Sequence, residues 1–208
     1  MSDAIRAADE EAITRRRLDT LCEEGRQFWH DFDARVRQDR WHPFVPAEYD
    51  HVRAALLSLR RKGRRFLEWG SASGVITIMA DLMGFDACGI ELDPFLVRSA
   101  RELASRSDSN ARFVAGSFIP MGWEWHPPDG DGRTATIGQG PSGYLELGLA
   151  LDAFDIVYGF PWSGEEPLMR DLMCCYGNSE ALLMLHSVEG GVRIYRQGVE
   201  VELVDACG

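Results

Sequence analysis

The densest chemical signal in the chain is Phe66-Leu67-Glu68-Trp69-Gly70-Ser71-Ala72-Ser73-Gly74. It is a short apolar run with an acidic residue near its end, followed by small residues up to a helix start. Small residues let a ligand approach the main chain closely, and a helix start offers N–H groups that have no partner within the helix. Seventeen residues past Gly74 stands Glu91, in Gly89-Ile90-Glu91-Leu92-Asp93. A carboxylate at the end of a second strand accepts both ribose hydroxyls of a nucleotide-like cofactor, so the two segments together mark a nucleoside ligand. Further along, Tyr158-Gly159-Phe160-Pro161-Trp162 gathers three aromatic rings. Such rings lie well against a cationic group, and they serve equally as ordinary packing.

The elements that must position these residues follow from periodicity. Between residues 3 and 38, Leu18, Leu21, Phe28, Trp29, Phe32 and Val36 fall three or four apart, which predicts one long helix or two short ones with a mild break at Gly25. Arg40-Trp41-His42-Pro43-Phe44-Val45-Pro46 ends it, because each proline biases its predecessor away from helix. Pro46 then opens a second helix with Val52, Ala55, Leu56 and Leu59 on one side.

From Phe66 onward short apolar runs alternate with helical segments, the texture of βαβ units. Strands are expected at 65–69, 86–91, 112–115, 155–158 and 181–186, with helices at 74–83, after Asp93-Pro94, and at 166–176. Gln197-Gly198 suits the tight turn of a closing hairpin. The fold class is therefore α/β: a Rossmann-like, doubly wound, mostly parallel sheet of about seven strands, with a C-terminal antiparallel hairpin and an N-terminal helical extension. Residues 1–63 are read as a helical cover or lid and 64–208 as the cofactor-binding core, with an insertion at 120–152 that is expected to line a pocket.

The 208 residues suit one globular unit, and 45% hydrophobic with 26% charged residues supports a packed core. The formal charge of -11 argues against binding nucleic acid through general phosphate neutralisation. Residues 1–65 carry 14 basic and 12 acidic groups and the remainder 8 and 21, so the acidity belongs to the core. Lys62 is the one lysine beside 21 arginines, a usage typical of GC-rich bacterial genomes and given no functional weight. Cys22, Cys88, Cys174, Cys175 and Cys207 lack zinc spacing and are expected to be free buried thiols, with no metal. A charged N-terminus and the lack of a long apolar run predict a cytoplasmic protein without a membrane partner. A homodimer is compatible with all of this.

On Glu68, Gly70, Gly74 and Glu91 the chain resembles the class I S-adenosylmethionine-dependent methyltransferases, whose first motif is [DE]-x-G-x-G-x-G; Ala72 stands at the middle glycine. The resemblance spans roughly residues 64–186. It implies S-adenosylmethionine as cofactor, with Glu68 and the Gly70, Ser71, Ala72, Ser73, Gly74 turn facing its methionine half and Glu91 on the ribose. It further implies Leu92 beside the adenine, Gly116, Ser117 and Phe118 bordering the base, and Tyr158 and Gly159 closing the cofactor site. Amino-methylating members carry [DNS]-P-P-[YFW] where this chain reads Gly159-Phe160-Pro161-Trp162; only Pro161 and Trp162 match.

The implied function is methyl transfer to a small-molecule acceptor at a nitrogen, oxygen or carbon atom. Trp41, Trp123, Trp125, Tyr144, Phe160, Pro161 and Trp162 are expected to form an aromatic, non-basic acceptor pocket. A general base is optional for methyl transfer, which depends on orientation and exclusion of water. Its candidates are His42, Tyr158 and His126. Against these stand bland readings: His42 as a cap beside Pro43, His126 as a solvated loop residue, Tyr158 as core. His30, His51 and His186 are set aside as residues of helix or strand bodies, and Glu165-Glu166 as solvated surface. Two rival functions share the features. A nicotinamide dehydrogenase would need G-x-G-x-x-G, but from Gly70 the chain reads G-S-A-S-G-V. A non-catalytic S-adenosylmethionine-binding partner subunit would keep Glu68 and Glu91 without turnover.

Overall fold

The computed structural model describes residues 2–36, 45–60, 63–123, 140–162, 164–187 and 191–202. Among them, seven strands form one sheet in the order β3-β2-β1-β4-β5-β6-β7. β1 (Arg65–Trp69), β2 (Asp86–Glu91), β3 (Arg112–Ala115), β4 (Ile156–Gly159) and β5 (Leu182–His186) run parallel. β6 (Val192–Arg196) and β7 (Val199–Glu200) return antiparallel as the expected hairpin, with Gln197 at φ 50 and Gly198 at φ 72 forming its turn. Strands β4 and β5 each start one residue later than predicted, because Asp155 and Ala181 still belong to the preceding turns.

The helices divide between the two faces. α3 (Val75–Leu82) and α4 (Pro94–Arg106) carry the chain from β1 to β2 to β3 and share one face with α1 (Ser2–Val36) and α2 (Tyr49–Leu59). α5 (Gly143–Leu147), a short 3-10 turn at Leu151–Ala153 and α6 (Glu166–Tyr176) cover the other. Strand alternation sorts the core accordingly: Phe66, Ile156 and Tyr158 face the first layer, Leu67, Trp69 and Val157 the second. The chain leaves β1 in one direction through α3 and arrives at β4 from the other. The ends of β1 and β4 therefore flank the crevice at which open α/β sheets receive ligands.

α2 starts at Tyr49 and not at Pro46, which lies in the extended segment before its cap Glu48. Asp93 caps α4, its side chain accepting the Phe95 N–H at 2.7 Å, with Pro94 in the first turn. α1 runs unbroken through Gly25, where a Cβ would lie 2.5 Å from Val75 Cγ2; the missing side chain lets α1 pack directly on α3. Leu18, Leu21 and Cys22 of α1 and Val52, Leu56 and Leu59 of α2 enter the same core as the sheet. Arg17 donates to the carbonyls of Ser107 and Asp108, and Arg53 pairs with Asp19 at 2.6 Å. Cys22 and Cys88 are buried as expected, but Cys174 and Cys175 are exposed near the end of α6, and Cys207 lies outside the described residues. No helix among the described residues is long and apolar enough to cross a membrane.

Neighbouring leucines on α2 separate core from surface. Leu56 is fully buried and Leu57 is half exposed. Leu56→Ala is expected to cost about 2–5 kcal/mol and Leu57→Ala less than about 0.5 kcal/mol in denaturant unfolding. Equal losses at the two positions would contradict this packing of the cover helix.

Candidate functional site

The turn that follows β1 is pinned to the end of β2. Gly70 and Ser71 both donate to the Ile90 carbonyl, at 2.9 and 3.0 Å, and Ala72 N–H donates to Glu91 Oε2 at 2.8 Å. Glu91 Oε1 accepts the Asp93 N–H at 2.9 Å, so the carboxylate is held from both sides by main chain. Gly70 at φ 70, Ala72 at φ 45 and Gly74 at φ 81 all take the left-handed conformation. At Gly70 a Cβ would meet nothing within 4 Å, because it would project into open space above the turn; at Gly74 it would strike Phe113 and Ala100 at 2.7 and 2.8 Å. One glycine thus leaves room for a ligand and the other lets α3 begin against α4 and β3. Gly89 has a similar reason, since Ser71 occupies the place a side chain would take.

A cleft opens over these turns, with a cavity volume of about 140 Å³. Glu68, Gly70, Ser71, Ala72, Ser73, Glu91, Leu92, Gly116, Phe118 and Tyr158, all singled out from the sequence, line it. Phe160 and Trp162 line its far side, and Val45, Pro46, Ala47 and Tyr49 close it from the N-terminal segment. Phe118 stacks on Trp69 with centroids 5.0 Å apart. Gly74, Ser117, Gly159 and Pro161, expected at the site from the sequence, are not among the residues that line it. Ser117 is buried with its Oγ accepting the Ile119 N–H, and a Cβ on Gly159 would meet Met169 Sδ at 2.9 Å.

Several acceptor-pocket expectations meet a different arrangement. Tyr144 lies in the second-face core, where its hydroxyl accepts Trp69 Nε1–H at 2.8 Å. Trp123 packs edge-on against Tyr176 of α6 on that same face. Neither lines the cleft: both pack into the core on the second face of the sheet, where the Ser117–Ser142 bridge brings the chain beside β3 before α5. Trp41, His42, Trp125 and His126 lie outside the described residues.

Two residues set aside from the sequence take unexpected places. Glu165 is 2% exposed and lines the cleft, its Oε2 accepting the Trp162 N–H at 2.7 Å, whereas Glu166 pairs with Arg193 at 2.7 Å and accepts from Tyr195. His186 is buried at the end of β5 beside Phe160, centroids 4.5 Å apart; burial lowers its pKa and Nδ1 has no hydrogen-bond partner among the described residues. Nothing in residue type marks Glu165, which is the N-cap of α6 and whose side chain folds back, outside the helix, to the Trp162 N–H.

The electrostatics are those of carboxyls removed from water. Burial pushes Glu68 up to about 8, opposed by the hydrogen bonds it accepts from the N–H and hydroxyl of Thr77 and reinforced by nearby Glu91. Burial raises Glu91 too, offset by the Asp93 and Ala72 N–H groups. Tyr158 is 1% exposed and its hydroxyl has no hydrogen-bond partner among the described residues. Burial, with Glu68 and Tyr49 close by, holds that phenol far above its ordinary value. Such a phenol donates a hydrogen bond but does not take up a proton, so Tyr158 does not suit the base role expected of it.

No family model matches the sequence. Over 85 residues the chain is 33% identical to the ribosomal protein L11 methyltransferase of Thermus thermophilus, a match that covers 38% of this chain and 34% of that protein. The chain thus spans about a third of that relative's length. Among solved structures it is similar to an RNA methyltransferase from Salinibacter ruber in complex with S-adenosyl-L-homocysteine, with TM-score 0.52 and 17% identity over 76% of this chain and 94% of that one. It is also similar to an S-adenosylmethionine-dependent methyltransferase from Thiobacillus denitrificans, likewise with S-adenosyl-L-homocysteine, at TM-score 0.46 and 17% identity over 74% and 53%.

Glu68 gives the cleft a pH signature. With its folded pKa raised from 4.5 to about 8, the folded protein holds a proton that the unfolded chain has released, so stability falls as pH rises through that window. Glu68→Gln removes this loss. Thermal unfolding is expected to show the variant gaining more over wild type at about pH 9 than at about pH 5; an equal gain at both would contradict the buried, protonated carboxyl.

Proposed function

We propose that this chain, which has the fold of the class I S-adenosylmethionine-dependent methyltransferases, binds S-adenosylmethionine in the cleft and transfers its methyl group to a small-molecule acceptor. One observation carries the reading: a single cleft runs from the main-chain-anchored Glu91 over the open Gly70 turn to Glu68 and the Tyr158 hydroxyl, which has no hydrogen-bond partner among the described residues. The cofactor supplies a methyl group on a positively charged sulfur. The residues present fit it, since the lining offers the anchored Glu91 carboxylate and open space above Gly70 to a cationic nucleoside ligand.

In this reading Glu91 takes the ribose hydroxyls. Each of its oxygens already accepts one main-chain N–H, which fixes the carboxylate and leaves its remaining lone pairs for the ligand. Leu92 and Phe118 flank the base. With Ser117 Oγ engaged by Ile119, the base edge is left to the main chain at Gly116. Glu68, Ser71 and Ser73 stand at the methionine half. Tyr158 orients what lies at the junction of β1 and β4, and Phe160 and Trp162 wall off the acceptor side so that nucleophile and methyl group meet in line with water excluded.

The acceptor is argued from charge. RNA binding draws on Lys and Arg set against phosphates, and no basic side chain is among the described residues lining the cleft, in a chain of net charge -11. That favours a small organic acceptor, although the similar proteins named above include an RNA methyltransferase and a ribosomal protein methyltransferase.

Calorimetric titration with S-adenosylhomocysteine tests the cofactor assignment. Glu91→Ala is expected to weaken binding by about 10- to 100-fold, and Glu91→Gln by less, through loss of about 1.5–3 kcal/mol of charged hydrogen bonding. Unchanged affinity in the folded Ala variant would refute the ribose role. Thermal stabilisation by NAD and not by S-adenosylmethionine would refute the function.

A further inference from the structure

We infer that Thr77, buried in the first turn of α3, is a positioning residue for the amino-acid end of the ligand and acts through Glu68. The inference rests on the methyltransferase reading and adds a residue that stands behind the cleft lining.

α3 starts on Gly74, which has no side chain to cap it. The cap comes from the preceding strand instead. Glu68 of β1 accepts the Thr77 N–H at 2.9 Å and also the Thr77 hydroxyl, both on Oε2. Position 77 is the third of the helix, where an N–H has no acceptor within the helix, so the first of these bonds satisfies the helix start. The hydroxyl is a second donor that capping does not require. Thr77 is fully buried and Glu68 is 5% exposed, so neither bond competes with water. Two donors occupy the lone pairs of Oε2 and fix the carboxyl, which leaves Oε1 to meet a ligand in the cleft that Glu68 lines.

The amino-acid end of such a ligand carries an ammonium, and a held carboxylate receives it as a charge-assisted hydrogen bond. Glu68 must first give up to solvent the proton that burial favours. Glu91 of β2 opposes that ionisation, and Tyr158 of β4 and Tyr49 of α2 stand by as phenols held neutral by burial. No Lys, Arg or His lines the cleft among the described residues. The two Thr77 donors are what favour the ionised form inside the protein. One side chain that does not touch the ligand thus sets both the direction and the charge of the group that does, before the ligand arrives.

The test titrates the full chain calorimetrically with S-adenosylhomocysteine, which carries the ammonium, and with 5′-methylthioadenosine, which keeps the nucleoside and sulfur but lacks the amino-acid end. In wild type, S-adenosylhomocysteine affinity is expected to rise between about pH 6 and pH 8 as Glu68 ionises, while methylthioadenosine affinity stays level. Thr77→Val removes the hydroxyl and keeps the shape. At neutral pH it is expected to weaken S-adenosylhomocysteine about five- to tenfold and methylthioadenosine less than about twofold, and to move the acid limb of S-adenosylhomocysteine binding to higher pH. Thr77→Ser is expected to restore both. In a Glu68→Gln background, Thr77→Val is expected to change S-adenosylhomocysteine affinity by less than about twofold. Equal losses for the two ligands, no loss for S-adenosylhomocysteine, no rescue by serine, or a loss that persists in the Glu68→Gln background would overturn the positioning role. Where Thr77→Val does not fold, the wild-type pH series decides, and a level S-adenosylhomocysteine profile or one slope for both ligands would overturn it. Failure to bind either ligand would instead overturn the methyltransferase reading.

Discussion

Three main-chain hydrogen bonds at the ends of two adjacent parallel strands set the geometry of the whole site. Gly70 and Ser71 N–H groups share the Ile90 carbonyl, and Ala72 N–H holds the Glu91 carboxylate. The same strand end also receives Gly116 N–H on the Glu91 carbonyl, so the turns after β1 and β3 are both tied to β2. This arrangement needs left-handed backbone at Gly70 and Gly74, the absence of a side chain at Gly89, and a carboxylate at position 91. Every residue of the motif therefore has a local reason before any ligand is considered. The ligand surface is what remains: open space over Gly70 and the outward lone pairs of Glu91.

The second constraint is charge in a confined space. Burial strips these acidic groups of hydration, which pushes Glu68 up to about 8, with a smaller push from Glu91, and raises Glu91 as well. A ligand with positive charge relieves this cost, and one with negative charge adds to it. That cost favours a positively charged cofactor in this cleft. The N-terminal segment contributes part of the wall: Tyr49 of α2 and Ala47 before it line the cleft, while Val52, Leu56 and Leu59 anchor the same helix in the core.

Much of the fold is legible in the sequence because hydrophobic period and punctuation agree. Strands β1 and β2, the Asp93-Pro94 start of α4 and the Gln197-Gly198 turn all lie where residue type alone places them. The cofactor half of the cleft is legible for the same reason, since its residues are consecutive in the strand-end turns. The acceptor half is not. Trp123 and Tyr144 are large aromatics on an insertion, and composition does not say which face of the sheet such an insertion returns to; the Ser117–Ser142 pairing decides it. Glu165 escapes a sequence reading because two glutamates before a proline look like a solvated helix start, and only the fold-back to Trp162 N–H buries the first of them. His186 reads as an ordinary strand residue, and at the end of β5 it stays buried beside Phe160, behind the residues that line the cleft.

The central claim is that one cleft orders a nucleoside on Glu91 and directs its reactive end toward β4. A crystal structure with S-adenosylhomocysteine tests this most directly. The account predicts the ribose hydroxyls within about 3 Å of the Glu91 carboxylate, the base between Leu92 and Phe118, and the sulfur facing Tyr158 and Glu165. A ligand bound in the reverse direction, or outside this cleft, would contradict it.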